Sequence, residues 1–147
     1  MSMSAPLDGL AERNRDWVLL LARILLAAIF VQSGLGKLTH FAAFADSMAA
    51  KGLPLPILWA LAGVAAEFFG SLCILFGLAT RLIAPLMVVF VAFAAVLGHA
   101  FWAADAASYQ GQYTHFMKNL AIMGGYLALA ISGPGGFSLD GWLRRRL

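Results

Sequence analysis

The sequence predicts an all-α integral membrane protein: a bundle of four transmembrane helices, with a short extracytoplasmic interfacial helix between the first two spans. Three observations predict it. Of the 147 residues, 62% are hydrophobic and 12% charged, and mean hydropathy is +0.85; soluble domains run at about 45–50% apolar and about 25% charged. Four apolar stretches approach the roughly 20 residues that an α-helix needs to cross about 30 Å of hydrocarbon. Lys and Arg gather between and beyond these stretches, and unequally on alternate connections.

The spans run from about 17 to 36, 57 to 78, 82 to 104 and 116 to 132, within one domain covering 1–147. Pro54 and Pro56 precede the second span, and Gly77 lies near its end as a C-cap. Thr80 is placed to cap the third, with Pro85 in its first turn, where a missing N–H costs little. Gly133-Pro134-Gly135-Gly136 stops the fourth. Arg23 interrupts the first apolar run and no small-residue cleavage site closes it, so an uncleaved span is expected instead of a signal peptide.

Arg13, Arg15, Arg81, Arg144, Arg145 and Arg146 fall on one side of this arrangement, and Lys37, Lys51 and Lys118 on the other. The positive-inside rule makes the arginine side cytoplasmic, with residues 1–16 and 134–147 and both termini there. Net charge is +3. The basic residues form no face or stripe, so the lipid bilayer is the expected partner and nucleic acid is not. In the first outer loop Phe41, Phe44 and Met48 recur at helical spacing and Gly52 ends the pattern, which reads as a helix lying in the interface. Ser138-Leu139-Asp140-Gly141-Trp142-Leu143 before three arginines reads as a cytoplasmic interfacial anchor.

Ionisable groups inside apolar spans are costly and mark function or register. Glu67 lies near the middle of the second span, with Gly63 and Gly70 beside it on a small-residue face that admits a neighbouring helix closely. Arg23, about 5–8 Å away in depth, is its expected partner in a structural ion pair. His99, in the outer third of the third span and one turn from Trp102, joins Lys37, Lys118 and Asn119 at the outer ends of the helices. A pocket holding Lys37, Glu67, His99, Lys118 and Asn119 is therefore expected as a ligand-binding site. Each of these residues also has a plain reading: a buried ion pair, a core histidine, lysines snorkelling to the interface. Gln32 faces elsewhere, toward a neighbouring helix or subunit, so a homo-oligomer stays open. Tyr109, Tyr113, Trp59 and Trp102 read as an aromatic belt. Cys73, the one cysteine, reads as a small buried apolar residue and offers no redox pair. No haem and no structural metal are expected, because only His99 of the three histidines lies in a span and no zinc spacing occurs. No catalytic residue is assigned.

Taken together, Arg23 in the first span, Ser33-Gly34-Leu35-Gly36-Lys37, Gly52-Leu53-Pro54-Leu55-Pro56, Glu67-Phe68-Phe69-Gly70, Phe76-Gly77-Leu78-Ala79-Thr80-Arg81, His99, Phe116-Met117-Lys118-Asn119-Leu120 and Gly133-Pro134-Gly135 with Ser138-Leu139-Asp140 resemble the DoxX family of small bacterial inner-membrane proteins. The resemblance covers nearly everything after residue 17. It implies a four-helix membrane bundle in the inner (plasma) membrane, associated with quinone- or thiol-linked redox systems and hence with a redox partner protein. Arg23, Lys37, Glu67, His99, Lys118 and Asn119 match the family's polar pattern. The leading expectation is thus the membrane component of a redox-associated system, with a small-molecule pocket, of quinone type, in the outer half of the bundle. A small transporter, with Glu67 as proton or substrate site, and an assembly subunit without activity of its own are the rivals.

Overall fold

A computed structural model describes residues 5–146, and every regular element among them is helical. Helix α1 (Ala5–Thr39) is followed by α2 (Phe41–Ala50). Helix α3 (Pro56–Val64) passes through a π-helical turn, Ala65–Gly70, into α4 (Ser71–Phe76). Then come α5 (Thr80–Gly98), a 3₁₀ turn at Phe101–Ala103, α6 (Tyr109–Ser132) and α7 (Leu139–Arg144). Three stretches, Asp8–Thr39, Pro56–Phe76 and Thr80–Ala103, are long and apolar enough to cross a membrane. The 24 residues of α6 rise about 36 Å, but the helix starts at Tyr109, ahead of the expected 116, and its opening turns carry Gln110, Gln112, His115, Lys118 and Asn119. Asp105 leads into it: its carboxylate accepts the N–H and hydroxyl of Ser108 at 2.8 and 2.6 Å, and the hydroxyl above all holds this carboxyl below its ordinary range.

Apolar residues lie on the outside, as a lipid-facing bundle requires. Leu25, Leu82 and Ile131 are exposed at 65%, 64% and 84%. The interior is small and tightly filled, by Ala27, Ala60, Ala84 and Ala95 with Ile74, Val91 and Tyr126. Helix α5 pairs along α6, while α1 packs on α3, the π turn, α4 and α6, and α2 lies against α3.

At one end of the bundle the chain is stitched to itself. Gly77 caps α4 in the left-handed conformation, φ 66°, as its position in the sequence predicts. The N–H of Leu78 reaches back to the carbonyl of Cys73 at 2.8 Å, as in a Schellman cap. Thr80 does not cap α5. The residue before it, Ala79, is left-handed, and the hydroxyl of Thr80 has no partner among the described residues. The cap comes from α7: the carboxylate of Asp140 accepts the N–H groups of Ala79 and Thr80 at 2.8 and 3.0 Å. A carboxylate is well matched there to the positive end of the α5 dipole. Pro85 is consequently inside α5 and not at its start.

Arg23 does not pair with Glu67. It is fully buried, and its guanidinium donates to the Leu75 carbonyl at 3.0 Å and to the Phe137 carbonyl. It thereby satisfies an orphan carbonyl at the C-terminus of α4 and holds the segment before α7. A depth argument places Arg23 and Glu67 within reach, but Arg23 turns toward the helix end, where carbonyls offer acceptors without a second buried charge. Asp16 accepts the N–H of Gly136 at 2.7 Å, and Arg15 donates to the Ser132 carbonyl at 2.8 Å. The C-terminal segment is thus bound to the bundle and is more than an interfacial anchor. Residues 1–4 and Leu147, expected on the same side, lie outside the described residues.

Replacing Asp140 with Ala leaves the N–H groups of Ala79 and Thr80, at the start of α5, without their acceptor and should cost about 1–2 kcal/mol. Thermal unfolding in mild detergent should show a lower Tm for Asp140→Ala, with partial recovery in Asp140→Asn, which keeps one acceptor oxygen. Equal Tm values for Ala and native protein would remove the trans cap from the account.

Candidate functional site

The opposite end of the bundle is hollow. A cavity of about 610 Å³ opens among α1, α2, α3, the π turn, α5 and α6. Lys37, Glu67, His99, Lys118 and Asn119, the five residues expected to share a pocket, all line it.

Glu67 is 4% exposed and sits on the π turn. Its carboxylate is held from α1. The hydroxyl of Ser33 donates to Oε2 at 2.8 Å, and the ammonium of Lys37 pairs with Oε1. This is the one salt bridge among the described residues. Ser33 and Lys37 are four apart and so share a face of α1. Between them Gly34 makes the approach feasible: a Cβ there would lie 2.6 Å from the backbone nitrogen of Phe68 and 2.8 Å from the carbonyl carbon of Glu67. The close helix contact expected at Gly63 and Gly70 is therefore made by Gly34. Gly63 instead receives the Phe44 ring of α2, and Gly70 the sulfur of Met87. Phe44 in turn places its ring 4.8 Å from the Lys37 ammonium, a cation–π contact on the pair's open side. The π turn inserts an extra backbone residue at Glu67, a feature frequent at functional sites.

Across the cavity stands Asn119 on α6. It is 7% exposed, and its amide makes no hydrogen bond to another described residue. The residue lines the cavity, so its donors and acceptor are available to a molecule there.

His99 lies just past the end of α5, which stops at Gly98, yet within the apolar stretch Thr80–Ala103 and near one end of it, as expected. Apart from His99 the stretch from Gly98 to Ala104 is apolar, so hydropathy gives no sign of the break. Nδ1 of His99 is 3.0 Å from Oε1 of Gln112. Its ring stacks on His115 at 5.0 Å between centroids, and the Lys118 ammonium donates to His115 Nδ1 at 3.2 Å. Trp102 belongs to the separate 3₁₀ turn, where Phe101 gathers Trp102, Tyr109, Tyr113 and Phe116 within 5.1 to 5.9 Å.

Four residues were not singled out as site residues from sequence. Ser33 could have been found from its spacing to Lys37. Gln112 and His115 meet His99 across a loop, and Lys51 reaches the carbonyl of Leu97 at 3.2 Å across the mouth; no local pattern signals either contact.

The arrangement suits a compact apolar molecule with oxygen functions. Phe30, Phe90 and Phe93 wall the cavity. Asn119, Lys37 and Ser33 supply donors, and Glu67 supplies a proton acceptor. Among the described residues no three His, Cys, Asp or Glu side chains cluster to hold a metal.

A family model named DoxX matches residues 18–100, a stretch that contains Arg23, Lys37, Glu67 and His99. The inner membrane protein YphA of Escherichia coli K12 is 36% identical over 126 residues, 86% of this chain and 90% of that protein. The inner membrane protein YqjF of the same organism is 40% identical over 138 residues, 92% of this chain and 98% of that protein. No solved structure matches.

Two measurements check this geometry. Gly34→Ala forces backbone apart at the crossing of α1 and the π turn and should cost about 1–3 kcal/mol, read as a lower Tm. Lys37→Met strands a buried carboxylate, so the double variant Lys37→Met/Glu67→Gln should be more stable than Lys37→Met alone. A double-mutant cycle should give a coupling of at least about 1 kcal/mol; zero coupling would mean that the pair is not formed.

Proposed function

The chain belongs to the DoxX family, and on that premise we propose that it is a multi-pass inner-membrane protein whose cavity binds a small molecule of the quinone type. It serves as the membrane component of a redox-associated system. In this reading α6 is the fourth span and α2 lies in the outer interface. The arginine-rich end, with both termini, faces the cytoplasm. The polar first turns of α6 do not disqualify it, because they precede the apolar part of the helix, and Lys118 and Asn119, which lie deeper, line the cavity.

One observation carries the proposal: Asn119, whose amide has no partner among the described residues, and the Lys37–Glu67 ion pair, whose carboxylate is buried, line the same cavity with aromatic residues in its wall. A quinone ring is flat and apolar and carries two carbonyl acceptors at its ends. Asn119 can donate to one of them. Lys37 can donate to the other while Glu67, held by Ser33, stays ready to exchange a proton. The apolar walls exclude water, which strengthens these hydrogen bonds. The chain has a single cysteine, Cys73, and so no internal dithiol; electrons are exchanged with a redox partner protein.

Native mass spectrometry of protein gently extracted from its own membrane tests this first. The expected result is a retained quinone, lost in Asn119→Leu and in Glu67→Gln. Added decylubiquinone should raise the Tm of the native chain; saturation at a hundredfold over Kd corresponds to about 2.7 kcal/mol. An empty protein with no quinone-dependent shift, arriving instead with a tightly bound subunit, would overturn the proposal and make the polar cluster structural.

A further inference from the structure

We infer that the ligand of this cavity is a bilayer-dissolved amphiphile that enters sideways, through a gap between α3 and α5, and not from water. The inference rests on the binding role proposed for the cavity and adds its route and its ligand class.

The gap follows from how the helices pack. Helix α5 is held against α4 and the π turn, and α3 against α1, α2 and the π turn; no contact of comparable extent joins α3 to α5. The π turn is the vertex from which the two helices part. Residues on both sides of the opening line the cavity: Trp59 and Ala62 from α3, Phe93, Ala94 and Leu97 from α5. Trp59, Phe93 and Leu97 are also 39%, 56% and 40% exposed, so no other part of the described chain covers these edges of the cavity.

The chemistry of the rim says what lies outside it. Helix α3 carries no charged residue, and α5 carries only Arg81, at its far end. Apolar edges of this kind face hydrocarbon. The water-facing mouth is crossed by polar bridges instead: Lys51 spans to the Leu97 carbonyl at 3.2 Å, His99 to Gln112 at 3.0 Å, and Phe44 of α2 covers Lys37. A water-soluble substrate would have to break these bridges. A membrane-dissolved molecule needs only to pass between the apolar edges that Trp59 and Phe93 mark. Its polar head would then reach Asn119 and the Lys37–Glu67 pair while its apolar tail stays in the gap.

The test uses the full chain in nanodiscs of phosphatidylcholine carrying a diazirine in one acyl chain. Such a chain remains anchored in its leaflet and can reach the cavity only from the side. After illumination, adducts are mapped by peptide mass spectrometry. Adducts are expected on Phe30 and Asn119, which are 8% and 7% exposed, as well as on outward-facing Val89. Ala62→Trp, or Ala94→Phe if the first variant does not fold, should cut the interior adducts about tenfold and leave Val89 unchanged. Lys51→Ala should leave the interior adducts as they are. Labelling confined to Val89 in the native chain, or interior labelling unmoved by a bulky residue at the gap, would overturn the inference. A labelled interior with no bound quinone would sustain the lateral route while refuting the quinone; bound quinone with an unlabelled interior would do the reverse.

Discussion

A carboxylate taken out of water in an apolar bundle must find partners, because an isolated buried charge costs several kcal/mol. Glu67 imposes that requirement on everything near it. Its partners stand on α1, and they reach it only because Gly34 lets the two backbones touch. The π turn supplies the other half of the fit, since Glu67 sits on its extra residue where it meets Ser33 and Lys37. Once α1 is held there, Lys37 brings Phe44, Phe44 seats in the space at Gly63, and α2 is laid over the end of the bundle.

The two ends of the molecule solve the problem of polar groups in opposite ways. At the end that holds the termini, Arg23, Asp16 and Asp140 each take up backbone groups that helix ends leave free. These contacts reach across the chain, from α1 and α7 to the turns after α4 and α6, so that end is closed. At the other end Lys37, Glu67 and Asn119 line an open cavity, with only the Glu67 carboxylate held by its neighbours on α1. Polar groups are costly in a span unless they face the bundle interior or a cavity.

Surface composition and cavity chemistry belong together. The exterior is dominated by Leu, Ile, Val and Phe, so anything dissolved in the bilayer is already in contact with the helices. The cavity is lined both by apolar residues that are exposed, such as Trp59 and Phe93, and by the buried Asn119 and Glu67. Under the lateral route proposed above, such a lining would favour amphipathic molecules, whose head groups need only a few donors and acceptors.

Composition and spacing were enough to predict an all-α membrane protein, the capping Gly77, helix α2 and the five residues that gather around one cavity, because the cost of burying polar groups in an apolar span depends on residue type and depth, and both can be read along the chain. Depth alone could not decide partners. Arg23 and Glu67 lie within reach by rise per residue, yet each bonds elsewhere: the choice depends on which face of each helix meets which, and that is set by Gly34 and the π turn, neither of which alters hydropathy. The third span, expected at 82–104, agrees with the apolar stretch Thr80–Ala103; what hydropathy did not show is the break after Gly98 within it and the polar turns with which α6 begins. Ser33 on Glu67, Gln112 on His99 and Asp140 on the start of α5 link residues 13 to 61 positions apart. Contacts at that range leave no periodicity in a sequence; they exist only once the helices have been packed against one another.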